Sequence, residues 1–448
     1  MKIISIAVLF SLISCPALAA SGPLSFSGAR VLLHERSDAL KASAAQVESR
    51  REAMESLKLL GGPTISAQAF EVWGETRVDI DKSVSTPLGP MPVDIDEHYN
   101  FSGPRASVTG TWPLFTGGKI RAAQESSRYA VEEARAENRS QSEDLDAQLI
   151  GRYFGLQLAR SVENLRRRTL DQQEQELARA RSFEREGMIS RVERMSVQVS
   201  RDAAQREWLK ARNSARVARL ELARLLREDA FGALTTPLFV LKRPLEPMER
   251  WVEAAVDNNP KIAAIEARMQ QANQGVEAAK SSWSPQVFAF GQYSFIRHYQ
   301  TMIEPNWIAG LGVNLTLWDS RDRLSGYRSA RASLRQVMAV KADAVNQVRT
   351  AAEVAWLTTR DAIEQYRLSA SDVILARENL ELKSKGFGEG LSTALDVSEA
   401  RDQLLKAEVG RRVAAYEFVV NYAMLHAIAG KMDDFLRAYE THDVLVED

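Results

Sequence analysis

The sequence predicts a mainly α-helical fold with a small β part, built from two copies of one structural plan. Three observations predict it. Two segments of about 65 residues contain no proline and are rich in Ala, Leu, Arg, Glu and Gln, which are strong helix formers. Four short segments alternate apolar with small or polar residues, as β-strands do. The second half of the chain repeats the order of these features in the first half.

The first residues predict export. Met1-Lys2 precedes an apolar run that ends near Ile13, and Ala17-Leu18-Ala19 is a small-x-small cleavage pattern, so residues 1–19 are expected to be a secretory signal peptide. The single cysteine, Cys15, lies inside this segment. It is either removed with the signal peptide or, because Leu12-Ile13-Ser14-Cys15 also fits a lipoprotein signal, it becomes a lipidated N-terminus.

The internal repeat is visible when the chain is aligned with itself. With a shift of 222 residues, Lys58 falls on Lys280 and Pro63 on Pro285; further along, a shift of 203 places Glu186–Ser190 on Glu389–Thr393. The two shifts differ by 19 residues, so the first half contains an insertion. Residues 79–100, which hold three prolines and a glycine, are the obvious site, and we expect them to form a long loop.

Each half is therefore expected to run helix, strand, loop, strand, very long helix, tight turn, helix. A helix of about 65 residues is roughly 100 Å long, more than any compact globule needs. The chain is predicted to begin with a signal peptide at 1–19, to have a linker at 236–250 between its two repeats and to end with a C-terminal segment at 431–448. The first repeat, at 20–235, has strands at 63–78 and 101–115, a long helix at 119–185, a turn at 186–190 and a helix at 191–227. The second repeat, at 251–430, has strands at 285–297 and 306–318, a long helix at 322–386, a turn at 387–393 and a helix at 394–429.

The strands predict a membrane barrel that needs several copies of the chain. Strands of about 10 residues with one apolar side are typical of transmembrane β-barrels. Four strands cannot close a useful barrel, and open strand edges are not tolerated in hydrocarbon. Three copies would supply twelve strands, so we expect a homotrimer in contact with outer-membrane lipid.

Composition excludes several other classes. The 58 basic and 59 acidic residues nearly cancel, which argues against a nucleic-acid binder. There is no paired-histidine zinc motif and no Gly-x-Ser-x-Gly, and Gly117-Gly118-Lys119 lacks the spacing of a phosphate-binding loop. We therefore predict a protein that is not an enzyme and has no cofactor and no metal site.

Two motifs carry a family resemblance. Trp112-Pro113-Leu114-Phe115-Thr116-Gly117-Gly118 lies where a strand meets a long helix, and Glu389-Gly-Leu-Ser-Thr-Ala-Leu-Asp-Val397 lies at the second turn. With the duplicated plan, they make the chain resemble the TolC-type outer membrane efflux proteins. The resemblance implies a trimeric α-barrel of long antiparallel coiled-coil helices that continues a 12-stranded transmembrane β-barrel. It places the chain in the outer membrane, with a long periplasmic extension.

By this resemblance, the turns are the periplasmic tips. We call 186–190 the first tip and 387–393 the second tip. In the family the tips meet the helical hairpins of a periplasmic adaptor (membrane fusion) protein, although a glycine at each tip is also expected of a simple helix cap. The residues expected to contact the adaptor are Gly187, Met188, Ile189, Ser190, Gly390, Leu391, Ser392 and Thr393.

Asp396 and Glu399 are the predicted gate residues. They are three apart, so they share one face of the helix after the second tip, and the resemblance places the matching acidic pair at the pore constriction. The alternative is one carboxylate that caps the helix start and one that is solvated. The family's best-known member has a tyrosine and an arginine that hold its gate shut, whereas this chain has Phe387 and Ser392 at those positions.

The resemblance implies a passive exit duct, gated at its periplasmic end, in a tripartite efflux pump or a type I secretion system. Its expected partners are the adaptor and an inner-membrane pump of the RND, ABC or MFS type. Residues 236–250 and 431–448 would form an equatorial region, with a plain inter-repeat linker as the alternative for the former. The alternative function is a structural periplasmic or surface coiled-coil protein without a pore.

Overall fold

The computed structural model describes residues 22–87, 89–297, 305–318, 320, 322–440 and 444–445. The predicted signal peptide at 1–19, with Cys15, lies outside the described residues. The chain divides into two compact units. One contains residues 1–43, 138–262 and 344–448, and the other contains residues 44–137 and 263–343.

Helices dominate the fold, as predicted. They are α1 (Phe26–Arg36), α2 (Asp38–Lys58), α3 (Lys119–Arg185), α4 (Arg191–Leu226), α5 (Met248–Asn258), α6 (Pro260–Lys280), α7 (Arg323–Gly388), α8 (Ala394–Ile428) and α9 (Met432–Glu440). Within the described part of the chain, no helix combines the length and apolar character needed to cross a bilayer.

The strands are β1 (Thr64–Thr86), β2 (Gly89–Phe115), β3 (Phe239–Val240), β4 (Gln286–Arg297), β5 (Trp307–Asn314) and β6 (Val444–Leu445). The internal repeat is confirmed by matched element lengths. Helices α3 and α7 have 67 and 66 residues, α4 and α8 have 36 and 35, and α2 and α6 have 21 each.

The first unit has the main apolar core. Aromatic rings from α1, α3, β3, α8 and α9 pack at its centre, largely edge to face, which is the favoured geometry for aromatic pairs. Tyr153 is fully buried, and its hydroxyl donates to the carbonyl of Leu24 at 2.7 Å and accepts from the N–H of Thr236 at 3.1 Å. The other fully buried aromatic residues are Phe26, Phe154, Phe239, Phe418 and Phe435.

In the same unit, the predicted linker at 236–250 pairs with the predicted C-terminal segment at 431–448. Phe239 lies opposite Leu445 and Val240 opposite Val444 in a two-stranded antiparallel sheet. Both residues of β3 are buried, so β3 is part of the core rather than a surface connection.

The second unit contains a four-stranded antiparallel sheet in the order β1-β2-β4-β5. Strand β5 ends at Asn314 instead of the expected residue 318, because Asn314 lies opposite Gln286, the first residue of β4. Beyond that row β5 has no described strand to pair with.

The expected loop at 79–100 is wrong. Strands β1 and β2 pair without a break from Thr64 opposite Thr111 to Thr86 opposite Gly89, so the insertion is a long β-hairpin. We call the part from Val72 opposite Gly103 to the turn the arm; at about 3.4 Å per residue it extends the hairpin by roughly 50 Å.

The prolines of the arm explain the error. Pro90 and Pro92 belong to β2, which pairs with β4 only from Arg105 onward among the described residues. A strand with a free edge tolerates proline, because no ladder hydrogen bond is lost on that side. The prolines therefore mark an edge strand and not a loop.

Candidate functional site at the two tips

Both tips end their long helices in the same way. Gly187 and Gly390 have φ angles of 73° and 76°, a left-handed conformation that glycine adopts without strain. The N–H after each glycine reaches back to the helix: Met188 to the carbonyl of Phe183 at 2.8 Å, and Leu391 to that of Gly386 at 2.7 Å. This is the Schellman type of helix end, and it turns the chain sharply.

Both following helices begin with a capping box. The Ser190 hydroxyl accepts from the N–H of Glu193 at 3.2 Å, and the Glu193 carboxylate accepts from the N–H of Ser190 at 2.9 Å. At the second tip, Thr393 and Asp396 exchange the same two hydrogen bonds at 3.2 and 2.9 Å. Each box satisfies two backbone donors at the exposed start of a helix.

Asp396 is therefore a helix cap. Its carboxylate accepts from both the N–H and the hydroxyl of Thr393, and Lys383 lies 3.3 Å away. These hydrogen bonds, with the lysine, lower the pKa of Asp396 to about 2. The carboxylate is ionised at neutral pH, but its charge is partly balanced by Lys383.

Glu399 differs from Asp396. Its side chain is exposed, and it has no hydrogen bond or ion pair to any described residue. The predicted pair thus divides into one capping carboxylate and one free carboxylate on the same side of α8.

The tip residues divide into exposed and packed side chains. Met188 is 65% exposed and Leu391 is 80% exposed. Ile189 instead packs, together with Phe387, against a small apolar cluster that joins the ends of four helices. We call this the tip cluster; its buried members are Leu177, Ala180, Val197 and Ala394.

Sequence reasoning missed an ion pair just beyond the second tip. Arg401 of α8 donates from Nη2 to Oε2 of Glu176 on α3 at 2.9 Å, and the side chains are only 11% and 18% exposed. A sequence signal did exist. Ala394, Val397 and Leu405 form a buried stripe at helical spacing on α8, and Arg401 interrupts it with a charge.

Among the described residues, no group of three or more His, Cys, Asp or Glu side chains could hold a metal ion. The chain reverses direction at both tips and exposes apolar side chains there, and the Glu399 carboxylate is free in the helix that follows the second tip.

Comparisons with known proteins agree with this picture. The sequence matches the family described as outer membrane efflux protein over residues 30–227 and 251–431. No curated protein matched the sequence.

Several solved structures have a similar fold. The CmeC outer membrane channel of Campylobacter jejuni is 12% identical, with a TM-score of 0.75, over 93% of this chain and 90% of that one. The MtrE outer membrane channel of Neisseria gonorrhoeae, solved in an open state, is 19% identical, with a TM-score of 0.71, over 91% and 89%. The outer membrane protein VceC of Vibrio cholerae is 15% identical, with a TM-score of 0.72, over 91% and 96%.

Proposed function

The chain belongs to the outer membrane efflux protein family, and we propose that three copies of it assemble into a passive exit duct gated at its periplasmic end. It is an outer-membrane channel component of an efflux system. This family is one of channels, and the proposed transport makes and breaks no covalent bond, so the protein would not act as an enzyme. Family membership favours this function over that of a structural coiled-coil protein.

The two edge strands of the four-stranded sheet are the observation that supports the proposed trimer. Strands β1 and β5 are the two edges of a four-stranded antiparallel sheet, and the row of backbone groups along the outer edge of each faces no other described strand. In hydrocarbon such a row costs several kcal/mol per unsatisfied group. Pairing β5 of one copy with β1 of the next would satisfy the edge of β5 and the part of β1 that faces it, since β5 has 8 residues and β1 has 23. Three copies would give a closed barrel of twelve strands.

We place the gate at the second tip, with Glu399 as its principal charge. Three copies would bring three free Glu399 carboxylates and three partly balanced Asp396 carboxylates around one narrow throat. A confined ring of like charge concentrates counter-ions and favours cations over anions. Because Lys383 lies beside Asp396, Glu399 would supply most of the selectivity.

The exposed tips would dock a periplasmic adaptor. Met188 and Leu391 offer apolar surface at equivalent points of the two repeats, while Ile189 supports the first tip from the tip cluster. Gly187, Ser190, Gly390, Ser392 and Thr393 would shape this surface through the helix ends. An inner-membrane pump of the RND, ABC or MFS type completes the proposed assembly for efflux or type I secretion.

The test is ion conduction by the purified protein in a planar bilayer. We expect cross-linking to give a trimer and single channels to prefer cations. Glu399→Gln should lower the cation preference, and Asp396→Asn should lower it less. The matched control is Glu417→Gln, which removes an exposed glutamate from the same side of α8, about five turns away. A monomeric, non-conducting protein would contradict the proposal.

A further inference from the structure

The arm is a ribbon of two strands whose two faces differ in polarity. Strands β1 and β2 pair along it without a register shift, so alternate positions of each strand share a face. One face consists mainly of Val, Ile, Met, Tyr and Phe, with Lys82 and Glu97 as its charged residues. We call it the apolar face of the arm; its positions are 72, 74, 76, 78, 80, 82 and 84 of β1 and 91, 93, 95, 97, 99 and 101 of β2.

The opposite face of the arm is acidic. Asp79 lies opposite Asp96, and Asp81 lies opposite Asp94. The side chains of Asp79, Asp94 and Asp96 are exposed, and the Asp96 carboxylate pairs with Arg77 at 2.7 Å. This face suits water, so the apolar face is the one that needs a partner.

The polarity of β1 reverses where the arm begins. In the sheet, the face that contains Thr64, Ser66 and Gln68 is polar. The other face, with Ile65 and Ala67, is apolar. Transmembrane barrels have their apolar face toward lipid and their polar face toward the lumen. Since β1 and β2 keep one register throughout, the apolar face of the arm continues the lumen side of the proposed barrel.

Most of the arm would lie beyond the bilayer. A tilted strand crosses the hydrocarbon in about 9–11 residues, and β1, counted from Thr64, reaches that length near Trp73. At its other end the hairpin joins α2 and α3. The helices of this family extend into the periplasm, so the turn of the arm lies on the outer side. An apolar face that looks inward there has no lipid to cover it.

The size of the apolar face is that of a specific interface. It is about 50 Å long and roughly 10 Å wide, or about 500 Å² per arm, near the upper limit of the apolar patches that monomeric proteins expose. Three such faces would together bury about 1,500 Å², which is typical of stable protein–protein interfaces. An isolated two-stranded ribbon is only marginally stable in water, so packing would also stabilise the arm.

The arms are long enough to meet. Twelve strands spaced by about 4.8 Å and tilted by about 40° enclose a barrel with a radius of roughly 12 Å. An arm of about 50 Å reaches the axis of that barrel when it leans inward by roughly 15°. Because a two-stranded ribbon twists, three arms would keep their apolar faces on the axis by winding around one another. Gaps of roughly 12 Å remain between the bases of the arms, so small ions can leave between them.

We propose that the apolar faces of three arms pack against one another on the three-fold axis, as an interface between copies of this chain beyond the outer surface of the bilayer. The partner of the apolar face is thus a second and a third copy of the same face. This interface continues the one that β1 makes with β5 of the next copy, and the inference rests on the proposed trimer.

The experiment is disulfide cross-linking of purified trimers in lipid vesicles, with copper phenanthroline as the oxidant. Val84→Cys and Ser83→Cys place a thiol at the same height near the turn, on the apolar and the opposite face. Cys15, the single cysteine of the sequence, has a free thiol under neither prediction for the N-terminus. Val84→Cys should give a covalent dimer on denaturing gels, with at most two of every three chains joined, and Ser83→Cys should give little.

A second control tests the inward lean of the arms. Val72→Cys is on the apolar face at the base of the arm, where neighbouring copies are about 20 Å apart, so it should not form a disulfide. If Val84→Cys does not assemble, Met91→Cys, which lies directly opposite position 84, is measured in its place.

Three results would overturn the proposal. They are equal cross-linking of Val84→Cys and Ser83→Cys, no cross-link in intact Val84→Cys trimers, and cross-links that join separate trimers, seen as species larger than a trimer on native gels. A wild-type protein that is monomeric in detergent would instead refute the proposed channel, so the two failures are distinguishable.

Discussion

Ser190 and Thr393 occupy the same position in the two halves of the chain, and each caps its helix through an acidic residue three positions later. The alignment of the two halves with a shift of 203 residues pairs Ser190 with Thr393 and Glu193 with Asp396. The two halves therefore share even the individual hydrogen bonds of the capping box. The groups that cap the first turn of α8 can be removed one at a time by substitution.

Thr393→Ala should loosen the start of α8. The substitution removes the hydroxyl that accepts from the N–H of Asp396, and loss of such a cap costs about 1 kcal/mol. We expect amide hydrogen exchange in the first turn, residues 394–397, to become about fivefold faster. Thr393→Ser keeps the hydroxyl and is the control. Equal exchange in the alanine and serine variants would show that the capping box contributes nothing.

Gly390→Ala should destabilise the second tip through the backbone alone. A Cβ at Gly390 would meet no atom within 4 Å, but its φ of 76° is a conformation that costs an L-residue about 1 kcal/mol. Gly388→Ala is the control, since it also meets no atom and has no positive φ. Differential scanning calorimetry should show a lower melting temperature for Gly390→Ala only; equal melting temperatures would remove the strain argument.

Much of this architecture was predictable because it depends on local chemistry. Long proline-free segments predicted α3 and α7, and the glycines at 187 and 390 predicted where they reverse. Contacts between distant residues were not predictable: Glu176 and Arg401 are 225 positions apart, and neither sequence neighbourhood identifies its partner. The arm was missed because Pro90 and Pro92 suggest a loop until the sheet order shows that, among the described strands, β2 pairs there with β1 alone.

Glu143 should make the protein less stable as the pH rises toward neutrality. The side chain is only 13% exposed, and burial raises its pKa to about 7, although Arg139 lies 3.4 Å away and opposes the shift. Between the unfolded value of about 4.5 and 7, the folded state retains a proton that the unfolded state has released, so stability falls with rising pH.

Glu143→Gln should consequently stabilise the protein at pH 8, by about 1 kcal/mol after allowance for solvent screening, and have little effect at pH 4.5. Urea unfolding at the two pH values measures this. Asp171→Asn, which removes an exposed carboxylate of the same helix that is also paired with an arginine four residues earlier, is the control. A gain of equal size at both pH values would contradict the assignment.

His426, unlike Glu143, should make the protein less stable as the pH falls. Its ring is buried against Trp251 and Tyr422, its Nδ1 lies 3.1 Å from the carbonyl of Lys431, and burial lowers its pKa to about 4. As the pH falls from 6.5 to 4, the unfolded state binds a proton that the folded state does not. Stability should decrease by about 3 kcal/mol over that range.

His426→Phe keeps an aromatic ring in this position but cannot bind a proton, so it should flatten the acid limb of the stability curve between pH 6.5 and 4. His98→Gln, which changes an exposed histidine of the arm, should leave the limb unchanged. If the limb persists in His426→Phe, the acid sensitivity arises elsewhere.

Most of the arm, residues 76–99, should be dispensable for the sheet that it extends. Replacing residues 76–99 with Asn-Gly joins Glu75 to Asn100, which already lie opposite each other, through a two-residue turn that suits a hairpin. The pairing of β2 with β4 from Arg105 to Phe115 is untouched, so trimer formation and conductance should match the full chain.

The control replaces residues 75–99 with the same turn. It removes one extra residue from β1 alone, and a one-residue slip moves every side chain of a strand to the other face. We expect this control to fail to assemble. Failure of the symmetric deletion as well would show that the arm contributes to the wall of the channel.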